Sequence, residues 1–317
     1  MTIQSQAASG IIAAFRSGHA RFDRRWGATV AKLGQRGSIL LTVLLLVVIV
    51  RELSQVDLGA LFKARSFPPL FYAAFLVFFL GSPLIEWLMI RRLWQAGFSG
   101  FWAILRKMVY NELLISYAGD AYLFAWVRRE LPGVMSPFAA VKDMAIVSAF
   151  MGSVITLLGI AIAWPLFPQL GQHGMGTSVL LALSLPLASG GLIALFHDKL
   201  LSLPRRDIVW IGCACTVRIV GQTLAAMVMW WSLLPQVPFT TWIVLAATRL
   251  VSTRLPLVPN KDLAFAAVTV ALLGTNAVIA PVIVMITTLV LLANATVAIG
   301  ISLRSWGQKL SRRLAMA

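Results

Sequence analysis

Six apolar stretches constrain the fold of this chain more than any other feature of its sequence. They cover residues 38–53, 68–90, 137–164, 176–196, 208–233 and 278–301. Each is long enough, or nearly so, to cross a hydrocarbon layer of about 30 Å as a helix that rises about 1.5 Å per residue. Hydrophobic residues make up 59% of the chain and charged residues 12%, whereas soluble domains average about 45–50% and about 25%. The sequence therefore predicts an all-α membrane protein with six full transmembrane helices.

Lysine and arginine residues indicate how these helices are oriented, because cytoplasmic loops carry an excess of both. Pairs of arginines at 91–92, 128–129 and 205–206 mark cytoplasmic turns. The connections that contain no lysine or arginine, and are expected to be external, are 165–176, 235–241 and 274–281. This scheme places both termini in the cytoplasm of a bacterial cytoplasmic (inner) membrane protein.

The net charge of +16 raises the question of nucleic acid, but its distribution points to lipid. The basic residues lie beside apolar segments, as expected for contacts with the headgroups of anionic lipids. We therefore expect membrane lipid as the partner, with anionic phospholipid bound by the basic termini, and no nucleic acid. The predicted domains are a basic arm at 1–37, an integral membrane domain at 38–303 and a basic tail at 304–317.

Two further apolar stretches, 99–131 and 239–275, do not fit as simple spans. Both ends of the first lie beside arginine pairs, and both ends of the second lie in connections without basic residues. Each stretch is interrupted midway, at 118–120 by Ala-Gly-Asp and at 256–260 by Pro-Leu-Val-Pro-Asn. Irregular backbone is too costly to expose to lipid. We interpret the two stretches as re-entrant helical hairpins that enter the membrane from opposite sides.

The order of these elements predicts an inverted repeat with units at 68–164 and 208–301. In each unit a span, a hairpin and a second span follow one another, and their starts differ by 140, 140 and 141 residues between the units. The charge pattern gives the two units opposite orientations in the membrane. Many transporters are built in this way and bind their substrate at the interface of the repeats.

Charged residues inside apolar segments are candidates for a binding site, since each costs about 2.5–3.5 kcal/mol at the centre of a lipid-facing helix. The predicted substrate-binding residues are Glu112, Asp120, Arg249, Arg254, Lys261 and Asp262. Arginine binds phosphate through two parallel hydrogen bonds, and broken helices direct backbone dipoles at a ligand. The alternative that these charges pair with each other and fix the bundle stays open. No metal ion or cofactor is expected.

Three charged residues outside the hairpins have simpler interpretations. Glu86 can pair with Arg91, five residues further along its span. Asp143 follows Lys142 near the start of a helix, where a negative charge is favourable, so a structural role is sufficient. Arg218 has no partner nearby in the sequence and is expected to face the interior of the bundle.

Several short motifs resemble one known family. They are Val56-Asp57-Leu58 after the first span, residues 86–92 at the end of the second, Gly119-Asp120, and Arg254-Leu-Pro256-Leu-Val-Pro259. Together they resemble the membrane region of lysylphosphatidylglycerol synthases and their stand-alone flippase-like relatives, over roughly residues 38–303. The chain departs from the family pattern in lacking a proline before Gly119 and a Gly-Gly pair after Pro259. The resemblance implies a divergent flippase-like protein and does not imply the synthase activity.

The sequence thus favours a translocator, and not an enzyme, for an amphiphile with an anionic headgroup. A phospholipid, a modified lipid and a polyisoprenoid-linked sugar all fit this description. One alternative is a membrane-embedded enzyme that modifies lipid, although motifs such as His-Glu-x-x-His and Gly-x-Ser-x-Gly are absent from the sequence. Another is a membrane anchor that binds a cytoplasmic enzyme through the basic arm. Assembly into a homo-oligomer is left open.

Overall fold

The computed structural model of the protein describes residues 67–113, 118–131, 137–166, 191, 201–254, 261–273 and 278–314. These residues form helices and contain no strand. The helices are α1 (Pro69–Trp94), α2 (Phe98–Leu113), α3 (Ala118–Glu130), α4 (Pro137–Ala163), α5 (Arg205–Leu233), α6 (Phe239–Ser252), α7 (Lys261–Leu273) and α8 (Ile279–Leu314). Residues Met1–Glu52 belong to a separate unit, which lies outside the described residues.

Four helical stretches are long and apolar enough to cross a membrane. They are Pro69–Trp94, Ala139–Leu166, Arg205–Leu233 and Ile279–Ile301. In the first of them only 28% of the most apolar 18-residue segment is buried inside the protein. Most of its apolar surface therefore faces outward, as a lipid-facing helix requires. These stretches match four of the six predicted spans and confirm the all-helical class. The other two predicted spans, 38–53 and 176–196, lie outside the described residues apart from Gly191.

Proline and arginine define the two ends of α1. Pro69 occupies the first helical position, where its missing N–H would have had no partner in the helix. Arg91 and Arg92 lie in the last turn, where the helix dipole favours positive charge. The helix ends at Gln95, whose φ of 52° is left-handed. A further proline, Pro83, lies inside α1, where it removes one backbone hydrogen bond from the helix.

Both predicted hairpins correspond to pairs of helices in contact. Helix α2 packs against α3, and α6 packs against α7; we call these pairs the first and second hairpin. The predicted break at 118–120 is wrong by a few residues, because α3 already begins at Ala118. Gly119 lies in the first turn of α3 and does not break a helix. Its backbone N–H donates a hydrogen bond to Asn111 Oδ1 at 2.8 Å, and Asp120 lies in the same turn, where the helix dipole favours a negative charge. The second predicted break lies in the undescribed residues between α6 and α7.

The packing of the eight helices follows a two-fold pattern. Corresponding helices of the two halves, α1–α4 and α5–α8, begin 136 to 143 residues apart. Neighbouring helices pack in the same order within each half. More tellingly, α4 packs against α6 while α2 packs against α8. Because α4 corresponds to α8 and α6 corresponds to α2, each of these contacts is the counterpart of the other. Neither contact joins helices that follow each other in the chain. The order and packing of the described helices are those expected for the predicted repeat, which stays a prediction.

The two halves are not fully equivalent. Helices α4 and α5 pack extensively, whereas their counterparts α8 and α1 are not among the well-packed pairs of the described residues. Helices α1 and α5, which correspond to each other, form the most extensive contact of all. The two halves thus contact each other mainly through α1 and α5. They differ in that α4 packs against α5, whereas α8 and α1 lack the corresponding extensive contact among the described residues.

Candidate functional site

A cavity of about 500 Å³ is lined by residues from all eight described helices. Its size falls in the range of roughly 300–1,000 Å³ that small-molecule sites occupy. Nine charged side chains line it, and with all of them ionised their formal net charge is +1. The basic ones are Lys107, Arg218, Arg249, Arg254 and Lys261, and the acidic ones are Glu86, Glu112, Asp120 and Asp262.

All six residues predicted to bind substrate line this cavity. Glu112 and Asp120 come from the first hairpin, and the second hairpin contributes Arg249, Arg254, Lys261 and Asp262. The structure therefore brings together residues up to 150 positions apart in the chain. Their role in substrate binding stays a prediction.

Each hairpin contains one ion pair that joins its two helices across the break. In the first, Lys107 Nζ lies 3.0 Å from Asp120 Oδ1. In the second, Arg249 donates to Asp262 Oδ1 through Nη2 at 2.8 Å and through Nε at 3.1 Å. In both pairs the partners are 13 residues apart, and the two pairs are offset by 142 residues. They therefore occupy corresponding positions in the two hairpins.

Sequence reasoning missed Lys107 as a site residue, although a signal for it exists. The segment Lys107–Asp120 has the same basic-to-acidic spacing as Arg249–Asp262, and the offset matches the repeat length. A comparison of the two hairpins in this register would have identified the equivalence. The alternative interpretation, in which the charges of the hairpins pair with each other, is therefore correct for two pairs, Lys107–Asp120 and Arg249–Asp262.

Glu86 lies at the centre of a network of ion pairs and hydrogen bonds that connects four helices and includes Lys107 of the first hairpin. Its Oε2 accepts a hydrogen bond from Lys107 Nζ at 2.8 Å, and its Oε1 pairs with Arg218 Nη1. Arg218 Nη2 in turn donates to Ser148 Oγ at 2.6 Å. The expected pairing of Glu86 with Arg91 is wrong, because residues five apart point to different sides of a helix. The expectation that Arg218 faces the interior is confirmed.

Arg249 is held on a second side by an aromatic ring. Its guanidinium carbon lies 4.6 Å from the centroid of the Phe78 ring of α1. The residue is only 9% exposed, so both the ion pair with Asp262 and the cation–π contact are largely shielded from water. Arg249 is therefore fixed in place and is poorly suited to follow a moving ligand.

Arg254 follows α6, and its guanidinium lies directly over Gly152 of α4. A Cβ atom on Gly152 would overlap Nη1 and approach Cζ to 2.5 Å. Arg254 Nε also donates to Thr253 Oγ1 at 3.3 Å. Because only glycine leaves space for the guanidinium at this point, Gly152 defines the position of Arg254 in the cavity. Nothing in the sequence around Gly152 had indicated this role.

Three other polar groups line the cavity without a close partner among the described residues. Glu112 and Lys261 form no ion pair or hydrogen bond there and interact only over longer electrostatic distances. Asn294 of α8 is 5% exposed, and its Oδ1 has no hydrogen-bond donor. Glu112 and Lys261 attract each other electrostatically, whereas the buried Oδ1 of Asn294 departs from the rule that buried polar groups have a hydrogen-bond partner.

Asp143 lies apart from the cavity and has a structural role, as predicted. Its side chain is fully buried, and Oδ2 accepts hydrogen bonds from the backbone N–H groups of Ser202 at 2.6 Å and Leu203 at 2.7 Å. Lys142 Nζ lies 3.4 Å from Oδ1. Asp143 thereby fixes the chain that leads into α5 against α4.

In comparisons with known proteins, no family model matches the chain, and neither a curated protein nor a solved structure is significantly similar to it. Over the described residues, the fold and the cavity define a class: a helical bundle with four helices long and apolar enough to cross a membrane and a charged cavity between two helical hairpins. The resemblance to the lysylphosphatidylglycerol synthase membrane region stays a prediction based on short motifs.

Proposed function

We propose that this protein is a membrane translocator, flippase-like in character, for an amphiphile with a phosphate-bearing anionic group. The observation that carries the proposal is the convergence of both hairpins on one charged cavity. Six full spans, re-entry of the hairpins from opposite sides and cytoplasmic termini belong to this proposal. A central site between inverted repeats, formed by broken helices, is the arrangement in which many transporters hold their substrates.

The charges of the cavity support an anionic group on the substrate. Lys107, Arg218 and Arg249 are engaged by acidic partners. Lys261 forms no ion pair among the described residues, and it experiences the positive charge of Arg254 together with the negative charges of Glu112 and Asp262. Lys261 and Arg254 both line the cavity, and a phosphate bound there would accept hydrogen bonds from both side chains.

The surroundings of the cavity support an amphiphile over a wholly polar substrate. The helices that line it include four of membrane-spanning length, and they expose large apolar side chains. Leu76 of α1, Val217 of α5 and Ile299 of α8 are each more than half exposed. A headgroup in the cavity and acyl chains along such surfaces would match the polar and apolar parts of one lipid.

The repeat supports movement between two conformations. Equivalent ion pairs in the two hairpins make it physically reasonable that either half adopts the conformation now seen in the other. Exchanging the conformations of the halves would open the contact of α4 with α5 and close that of α8 with α1. The cavity would then be accessible from the opposite side, as alternating access requires.

Replacing Arg254 by alanine tests the function directly. Purified protein is reconstituted in vesicles that contain an acyl-chain-labelled phosphatidylglycerol, and exchange between leaflets is measured by quenching the outer label. We expect exchange in the wild-type vesicles to exceed that in protein-free vesicles, and Arg254→Ala to slow it about tenfold, the effect of losing a charge-assisted hydrogen bond. Arg91→Ala, at an exposed position, is the matched control and should retain the wild-type rate.

Exchange no faster than in protein-free vesicles would contradict the translocator proposal. Equal rates for Arg254→Ala and the wild type would remove Arg254 from the mechanism. The unfolding temperature of each variant in detergent shows whether a slow rate reflects loss of the fold.

Gly152→Ala moves the guanidinium of Arg254 without removing its charge. The overlap is with the end of a flexible side chain, so we expect a change in the free energy of unfolding below about 1 kcal/mol, together with a several-fold slower exchange. Gly159→Ala is the control, because its Cβ would meet only Leu250 Cδ1, at 2.8 Å. Wild-type exchange in Gly152→Ala, or a further decrease on combining it with Arg254→Ala, would contradict this role of Gly152.

A further inference from the structure

Glu112 differs from the other carboxylates of the described cavity lining in that it is engaged in no ion pair. It lies near the end of α2 and lines the cavity, and among the described residues it forms neither an ion pair nor a hydrogen bond. The other three carboxylates of that lining, Glu86, Asp120 and Asp262, each pair with a lysine or an arginine. A change of protonation at Glu112 therefore breaks no ion pair of the described bundle.

Charges of both signs act on Glu112 from the second hairpin. The negative charge of Asp262 disfavours a second carboxylate nearby, whereas the positive charges of Lys261 and Arg249 favour one. Lys261 in turn interacts with Glu112 and Asp262, which attract it, and with Arg254, which repels it. Removal from water favours the neutral carboxyl group. The protonation state of Glu112 therefore depends on which charges lie near it.

The helices that pack against α2 contribute charges to the cavity that are already paired. Helix α2 packs against α1, α3 and α8. From α1 and α3, Glu86 and Asp120 line the cavity, and both pair with Lys107. Helix α8 contributes only uncharged side chains to the described lining. The second hairpin, where the proposed phosphate site lies, is therefore the main influence on the charge of Glu112.

The two hairpins carry opposite charges at corresponding positions of the cavity. Glu112 and Arg254 are 142 residues apart, which is the offset that relates the ion pairs of the two hairpins. Both side chains line the cavity at the point where the first helix of a hairpin ends. One hairpin thus presents a guanidinium, which can bind an anion, where the other presents a carboxyl group, which can bind a proton.

We infer, on the basis of the proposed function, that the protein moves its substrate together with a proton, which Glu112 binds. A phosphate held by Arg254 and Lys261 brings a second negative charge to the lysine that attracts the Glu112 carboxylate. Repulsion between the two anions favours protonation of Glu112 when the substrate binds. By reciprocity, protonation of Glu112 raises the affinity for the phosphate by the same factor.

Proton coupling gives an acidic residue a role in a site for an anion. A permanently ionised Glu112 would compete with the phosphate for Lys261 and weaken substrate binding. A protonated Glu112 does not compete. After the substrate leaves, loss of the proton restores the attraction of Glu112 to Lys261 in the empty cavity. Because a phosphodiester carries a single negative charge, its movement with one proton transfers no net charge across the membrane.

The test uses phosphatidylcholine vesicles that contain the full-length protein and a trace of acyl-chain-labelled phosphatidylglycerol. With equal pH on both sides, we expect exchange between leaflets to accelerate toward acidic pH, by up to about tenfold per pH unit, because one proton is bound with each lipid. With the outside about one pH unit more acidic, the label should accumulate in the inner leaflet, by up to about tenfold. A proton ionophore should abolish the accumulation, and protein-free vesicles under the same gradient give the background.

Variants at two glutamates assign the coupling to a residue, and the pH profile of each is compared with its own rate. Glu112→Gln preserves the size of the side chain but cannot exchange a proton, so its rate should not depend on pH and its label should not accumulate. Glu112→Asp retains a carboxyl group and should retain the acceleration at acidic pH. Glu130→Gln is the matched control, because Glu130 is exposed and pairs with Arg129; it should show the wild-type profile.

The wild-type measurements separate this inference from the proposed function and do not depend on any variant folding. Exchange that does not vary with pH, or accumulation driven by a potassium diffusion potential at equal pH, would overturn the proton coupling and leave the translocator proposal standing. Acceleration at acidic pH that persists in Glu112→Gln would overturn the assignment to Glu112. Exchange no faster than in protein-free vesicles at any pH would contradict the translocator itself, and the inference would fail with it.

Discussion

Replacing Glu86 by alanine is expected to lower the free energy of unfolding by about 3–5 kcal/mol, the loss typical of removing one partner from a buried ion pair. Glu86 is the shared acceptor for Lys107 and Arg218. Without it, Arg218 would retain, among the described residues, its hydrogen bond to Ser148 and would remain a charge in a poorly hydrated place. Because the network connects α1, α2, α4 and α5, its loss should affect the folding of the whole described bundle.

The loss is measured by reversible unfolding in mixed micelles, with Glu130→Ala as the control. Glu130 pairs with Arg129 near the surface, and its side chain is 49% exposed, so we expect a change below about 1 kcal/mol. Arg218→Ala alone should also lower the free energy of unfolding. The double variant Glu86→Ala/Arg218→Ala should lose less than the sum of the two single losses, because neither charge of the pair is then left without its partner. Strict additivity would show that the pair is not energetically coupled.

The helical class and the main elements follow from sequence because they depend on local properties. Apolar length predicts α1, α4, α5 and the apolar part of α8, and their ends are marked by proline or by basic residues. The interruptions were predicted less well: the first was placed at 118–120, where α3 has already begun, and the second falls in residues 256–260, outside the described part of the chain. The membrane is the common cause, as it requires long apolar helices and penalises broken ones outside a protein interior.

The partners of charged side chains could not be predicted in the same way, because they depend on tertiary geometry. Glu86 and Arg218 are 132 residues apart and meet only because α1 packs along α5. The nearer candidate, Arg91, is excluded by its direction on the helix. By contrast, the pairs Lys107–Asp120 and Arg249–Asp262 were accessible to sequence reasoning through their shared spacing. Internal symmetry thus supplies non-local information that a single pass along the chain does not.

Glycines at close approaches form the other class of residue that sequence reasoning could not assign. Gly152 and Gly119 are two of the 23 glycines in the chain, and neither has a φ in the left-handed region. What distinguishes them is the atom that a Cβ would meet, which is the guanidinium of Arg254 in one case and backbone in the other. Gly119 belongs to the Gly-Asp motif noticed in the sequence, and the structure gives that motif a packing reason.

Replacing Gly119 by alanine is expected to destabilise the first hairpin more than any other single methyl group added in the described bundle. Its Cβ would overlap the backbone carbonyl oxygen of Lys107 and approach Asn111 Oδ1 to 2.8 Å. Backbone cannot rotate away as a side chain can, so α3 must shift away from α2. The shift would lengthen the hydrogen bond from Gly119 N–H to Asn111 and the ion pair between Lys107 and Asp120. We expect a loss of about 3 kcal/mol or more in the free energy of unfolding.

The appropriate control for Gly119→Ala is Gly212→Ala in α5, because Gly212 is also buried but its Cβ would meet Met151 and Val147 at ordinary distances of 3.9–4.0 Å. Its free energy of unfolding should stay within about 1 kcal/mol of the wild type, since alanine favours a helix over glycine by about that amount. Cysteines introduced in place of Tyr110 and Tyr122, whose rings are 5.2 Å apart, report the separation of α2 and α3. Crosslinking should be efficient in the wild-type background and weak with Gly119→Ala. If Gly119→Ala proves as stable as Gly212→Ala and crosslinks equally well, the close approach of α2 and α3 at this glycine is wrong. The equivalence of the two hairpins would then lose its support from the pair Lys107–Asp120, because that pair requires the same approach.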